Sequence, residues 1–218
     1  MPFTALTASA AALLALGLAT PAAAAADPDP DGVEAKVSRV TAAQLGASHH
    51  DGCPVPPDRL RKIEMNHWGF DGKVHRGTMV VRDDMVKPVT AVFEAAFDAR
   101  FPIRKMRPAS EYGGSDEKAM ADDNTSAFNC RQVTGVPGRM SQHSYGNAVD
   151  INPLENPYVD ANGVIHPPAS RGYLDRGQDK PGMIKYGDAV WSAMRAQGWL
   201  WGGRWHHPDY QHFSSNGG

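Results

Sequence analysis

Residues 141–153, Ser-Gln-His-Ser-Tyr-Gly-Asn-Ala-Val-Asp-Ile-Asn-Pro, constrain the fold more than any other stretch of the chain. Gly146 permits a sharp bend beside His143, and Asn147–Ile151 then alternates as a strand. That alternation puts Ala148 and Asp150 on one face and Val149 and Ile151 on the other. A bend followed by a strand can return His143 toward Asp150. An imidazole nitrogen and a carboxylate oxygen are both competent zinc ligands, and a catalytic zinc site normally takes a third protein ligand and keeps one position open to water. The other reading is a structural hydrogen-bonded pair.

Candidates for the third ligand lie in the C-terminal stretch from Trp199 to Ser214, which carries His206, His207 and His212. Spacing alone does not choose among them. Its aromatic residues and the Gly202-Gly203 pair predict a tightly turned segment walling a cleft, with Pro208 interrupting regular pairing before Tyr210–Phe213 resumes as a strand. Asp209 precedes His212 by three positions, so an ideal strand would point the two to opposite faces. They share one region only if the backbone near Pro208 and Asp209 is irregular.

Together these residues resemble the VanY-like M15 metallopeptidases, the D-alanyl-D-alanine carboxypeptidases and L-alanyl-D-glutamate endopeptidases. Their pattern S-x-H-x-x-G-x-A-x-D is matched by Ser141, His143, Gly146, Ala148 and Asp150. W-G-G-x-W is matched by Trp201 to Trp205, and D-x-x-H-F by Asp209, His212 and Phe213. The resemblance spans residues 55–215. It implies an α+β domain of the hedgehog/DD-peptidase type, a small antiparallel sheet with packed helices around a zinc cleft. It implies one Zn2+ held by His143, Asp150 and His212, with Asp209 as general base. Arg131 corresponds to the family's substrate-orienting and carbonyl-polarising arginine, and Ser141 either anchors the turn or binds substrate. Some members carry an acidic residue where this chain has Arg204. The implied substrates are peptidoglycan stem or cross-link peptides, cut at a terminal D-Ala-D-Ala bond or at an internal bond such as L-Ala-D-Glu.

The start of the chain sets where such an enzyme would work. Residues 1–26 hold no acidic or basic side chain, and Leu6–Leu18 has the length of a signal-peptide core, too short for a permanent membrane span. The expected organisation is a signal peptide over 1–26, a flexible N-terminal segment over 27–54 and a catalytic domain over 55–218. Export, with secretion or cell-wall association and no stable membrane insertion, follows. Removal of the leader leaves enough chain for one hydrophobic core and little room for two. Cys53 and Cys130 are the only cysteines, and in an exported chain an even count favours a disulfide between them. The net charge of -2, with both signs interspersed, gives no electrostatic case for a nucleic-acid partner, and a monomer is expected.

Along the mature chain, 60–68 and 73–82 read as a hairpin around Phe70-Asp71-Gly72, and 83–101 as a helix that tolerates Pro88 near its start. Residues 101–106 and 126–133 read as strands, 111–126 as a surface loop, and 183–198 as a helix ending at Gly198. Two readings from other classes compete. Ser115-Asp116-Glu117-Lys118 matches the S-x-x-K of serine acyl-transfer enzymes, although the later K-T-G is missing. A cell-wall-binding module keeping a structural zinc without turnover is the other.

Overall fold

The computed structural model describes residues 1–3, 30–134 and 136–217; the expected signal peptide falls largely outside them. In chain order the elements are β1 (Lys36–Arg39), α1 (Ala42–Leu45), β2 (Leu60–Trp68), β3 (Val74–Arg82), α2 (Val86–Asp98), β4 (Lys105–Met106), α3 (Asp116–Ala121) and β5 (Asn124–Thr125). There follow β6 (Gln132–Val133), β7 (Val136–Met140), β8 (Ala148–Asp150), β9 (Tyr158–Val159), β10 (Ile165–His166), α4 (Ala189–Ala196), β11 (Leu200–Trp201) and β12 (His212–Ser214). Small, mostly antiparallel sheets and few helices make a mixed α/β fold, in keeping with the expected class.

The hairpin of β2 and β3 forms as its alternation dictates, in continuous antiparallel register from Leu60↔Arg82 to Trp68↔Val74. Ile63, Met65, Met79 and Val81 are fully buried and meet Val89, Val92, Phe93, Ala96 and Phe97 of α2. Pro88 is the third residue of α2, where its missing N–H costs no intrahelical bond. Helix α4 packs on α2 with Val190 and Met194, and Trp199 closes that side of the core. Each such large side chain contributes about 2–3 kcal/mol of apolar burial.

A second cluster holds Val40, Leu45, Leu60, Val80, Phe128 and Cys130. The Cys53–Cys130 disulfide is present and staples this cluster to the residues leading into β6. In the chain-entropy account, a bridge between residues 77 apart contributes about 4 kcal/mol.

Four expectations need correction. The described part of 27–54 is not a featureless entry: β1 pairs with β2 from Lys36↔Glu64 to Arg39↔Arg61, and Thr41 with Gln44 forms a capping box on α1. Val40 and Leu45 give these elements an apolar anchor in the second cluster. Residues 111–126, read as a surface loop for their polarity, contain α3 and β5. Ala119, Met120, Asn124 and Thr125 are buried there, and the buried Asn124 amide is satisfied by the Arg107 backbone on both its sides. The expected strands at 101–106 and 126–133 reduce to β4 and β6, since Phe128 and Cys130 donate singly to Val80 and Ser48 rather than in a ladder. Helix α4 starts at Ala189, not Met183. Gly187 has φ 86°, and the Asp188 carboxylate accepts from Lys185 N and Trp191 N, capping the helix there.

Candidate metal centre

Two neighbouring strands and one turn make the site. Ser141 Oγ accepts from His143 N at 3.3 Å and opens a 3₁₀ turn over Gln142–Tyr145, which ends at Gly146 with φ 63°. A Cβ at Gly146 would stand 2.7 Å from Arg82 N, whose N–H donates to the Gly146 carbonyl at 2.9 Å, so only glycine lets the turn lie against the end of β3. The chain then enters β8, where Val149 is buried in the main core and fixes the opposite facing of Asp150. Strand β12 pairs antiparallel with β8 in the register His212↔Asp150, Phe213↔Val149, Ser214↔Ala148. Register alone therefore sets His212 directly across from Asp150.

The three side chains are buried and their donor atoms form a small triangle. His143 Nε2 lies 3.0 Å from Asp150 Oδ2, His212 Nδ1 lies 3.0 Å from Asp150 Oδ1, and the two imidazole nitrogens are 3.2 Å apart. His143 Nδ1 is engaged with the Ala127 carbonyl, which can only accept, so Nδ1 carries the proton and Nε2 presents its lone pair to the triangle. Burial alone would raise the Asp150 carboxyl, but the His143 and His212 imidazoles outweigh it and hold the group well below the usual carboxylate range. Two imidazole nitrogens and a carboxylate converging in this way fit a cation. Tetrahedral zinc with ligands at about 2.0–2.1 Å spaces them about 3.3 Å apart. His143, Asp150 and His212 can thus hold a metal ion.

The triangle opens into a cleft of about 410 Å³, lined among others by Arg131, Arg139, Ser141, Tyr158, Trp205 and Asp209. The irregular backbone expected before His212 is present: Asp209 N donates to Gly202 O at 3.0 Å, Tyr158 and Asp209 form an isolated bridge, and the strand begins only at His212. Asp209 consequently reaches the same cleft. Its Oδ1 is out of solvent with no hydrogen-bond partner among the described residues, and burial, aided by the Asp150 charge, pushes its carboxyl up to about 7. Arg131 lies on the cleft wall with its guanidinium paired to Asp116 at 2.9 Å. The Ser141 hydroxyl serves the turn, and its N–H donates to the Arg131 carbonyl, tying that wall to the His143 turn. His206 and His207 line the cleft as exposed side chains and stand outside the donor triangle.

Three cleft residues escaped the sequence reading. Asp116 sat in the S-x-x-K match, where Ser115 proves to cap α3 and Asp116 turns to Arg131. Tyr158 and Arg139 carry no motif; pairing of Tyr158 with Asp209 across the chain is the only signal, and it is tertiary. Trp205 was legible as part of the Trp-Gly-Gly-x-Trp run, and its ring stands 5.5 Å from that of His212.

No curated protein and no solved structure matches the chain. Residues 134–215 match the model of a family described as D-alanyl-D-alanine carboxypeptidase. That span contains His143, Asp150, Asp209 and His212 and begins after Arg131. Over that segment, which builds the donor triangle, the chain is similar to the D-alanyl-D-alanine carboxypeptidase family.

Proposed function

We propose that the protein is an exported, monomeric zinc peptidase hydrolysing peptidoglycan stem or cross-link peptides, acting as a D-alanyl-D-alanine carboxypeptidase. The observation that carries this reading is a buried triangle of two imidazoles and a carboxylate, 3.0–3.2 Å on each side, opening onto a cleft that also holds the Asp209 carboxyl, whose Oδ1 has no partner among the described residues.

When bound, zinc supplies Lewis acidity and makes a cleft water acidic enough to attack near neutral pH. Asp209 accepts the proton of that water and passes it to the departing amine nitrogen. Asp150 and the Ala127 carbonyl fix the orientation and tautomer of His143. Arg131 presents guanidinium N–H groups to the peptide carbonyl, where negative charge develops. Trp205 covers the His212 side of the cleft and limits access of bulk water.

Among the described residues no helix is long and apolar enough to cross a membrane, and the disulfide supports an extracytoplasmic setting. The test is mass analysis of muropeptides after digestion with and without a chelator. Release of a single terminal alanine, abolished by the chelator, supports the carboxypeptidase reading. Chelator-sensitive release of larger fragments replaces it with an endopeptidase, and zinc binding with no cleavage rejects both.

A further inference from the structure

Two arginines line the cleft, and they are held in opposite ways. Arg131 Nη2 stands 2.9 Å from Asp116 Oδ1, while Asp116 Oδ2 accepts from Thr134 Oγ1 at 2.9 Å and Arg131 Nη1 donates to the Gln132 carbonyl at 3.1 Å. Both partners are largely buried, with side chains 17% and 14% exposed. A carboxylate so close and so shielded cancels most of the guanidinium's charge as felt from the cleft, leaving its remaining N–H groups as directional donors. Arg139 lies on β7, across the hairpin from Gln132 and Val133; it is exposed, lines the same cleft, and has no hydrogen bond or ion pair among the described residues. The carboxylates nearest the reacting region are otherwise engaged or assigned: Asp150 lies in the donor triangle, Asp116 on Arg131, and Asp209 is the proposed base. The other basic groups of the lining, His206 and His207, sit on an exposed turn.

We propose that Arg139 receives a carboxylate of the substrate at the cleft rim, and that Asp116, braced by Thr134, is a positioning residue that keeps Arg131 charge-compensated and directed at the peptide carbonyl. The assignment rests on the peptidase reading above and deepens it. It divides between two arginines the tasks of binding and polarisation, and it defines the preferred substrate as a peptide with a free carboxylate close to the scissile bond. The Tyr158 hydroxyl, 3.5 Å from the Thr134 carbonyl, spans from the Asp209 side of the cleft to this wall.

The experiment uses zinc-loaded Asp209→Asn protein, whose turnover is slowed enough for binding to be read, titrated calorimetrically with an N-acetylated tripeptide ending in D-Ala-D-Ala and with its C-terminal amide. Adding Arg139→Gln weakens the free acid about tenfold or more and the amide less than twofold, as expected for loss of one charge-assisted pair. In the active background, Asp116→Asn lowers kcat on both peptides about tenfold and leaves KM within about threefold, and Asp116→Glu restores part of kcat. The proposal is overturned if the parent protein does not distinguish acid from amide, if Arg139→Gln affects both equally or neither, or if Asp116→Asn changes KM for the acid alone. Carboxylate-selective binding through Arg139 without cleavage of any peptide would reject the peptidase reading while leaving the binding assignment standing. Cleavage indifferent to Arg139 would do the reverse.

Discussion

The floor of the cleft and its rim are built on different principles. On the floor, Asp150 and His212 face each other because β8 and β12 pair in one register, and that register is pinned by Val149 and Phe213 in the main core. A slip of one residue would turn every side chain over, so the donor atoms are fixed by backbone pairing and burial together. On the rim, the β6–β7 hairpin is short, bulged and mostly exposed, and its functional groups are placed by side-chain pairs such as Arg131–Asp116 and Thr134–Asp116. Geometry that must hold a cation is invested in the core, and geometry that selects a substrate is left where substitution is cheap. Floor substitutions should therefore abolish function, and rim substitutions should tune it.

The largest effect is expected at the floor. His212→Ala should remove stoichiometric zinc and peptidase activity together while the fold persists by circular dichroism; retention of both would place the metal elsewhere. Asp209→Asn should separate the two properties, keeping zinc and lowering kcat by about 10²–10⁴-fold, the range of a lost general base. Equal loss of metal would instead make Asp209 a ligand.

Stability tests the boundary between floor and rim. Replacing both Cys53 and Cys130 with Ser should cost about 4 kcal/mol in denaturant unfolding, since the bridge ties the second core cluster to the wall that carries Arg131. Gly146→Ala should cost about 2 kcal/mol and weaken zinc binding, because its φ of 63° and the Arg82 backbone at 2.7 Å leave no room for a Cβ. A neutral outcome there would show that the turn does not depend on its contact with β3.

The smallest expected effect lies at Glu155, which is buried beside Asp123 and paired with the exposed Arg104. Burial, and then the Asp123 charge, push its carboxyl up to about 8. A folded value above the unfolded one makes the contribution full below about pH 4.5 and lost as pH rises through 8. Melting temperature should fall over that window, and Glu155→Gln should flatten that fall. An unchanged slope would assign the pH dependence to other groups.

The parts legible in the sequence are those that local physics dictates. Alternation in 60–68 and 73–82 gave the hairpin, and Gly146 between His143 and Asp150 gave the bend. The break at Pro208–Asp209 was also readable, because a three-residue spacing conflicts with a regular strand. Residues 111–126 were not, since part of the polarity there is the buried Asn124 amide, satisfied on both its sides by the distant Arg107 backbone. Nor was the partner of Arg131, because Asp116 arrives from a separate helix. The same limit hid the choice among His206, His207 and His212, which local spacing leaves open and the β8–β12 register settles as a matter of placement.

X-ray absorption at the zinc edge of the zinc-loaded protein tests the central claim most directly. The account predicts two imidazole nitrogens and one carboxylate oxygen at about 2.0–2.2 Å, with one further light-atom ligand from solvent that a competing anion displaces. A sulfur ligand, three or more imidazoles, or a shell closed by protein atoms alone would contradict it.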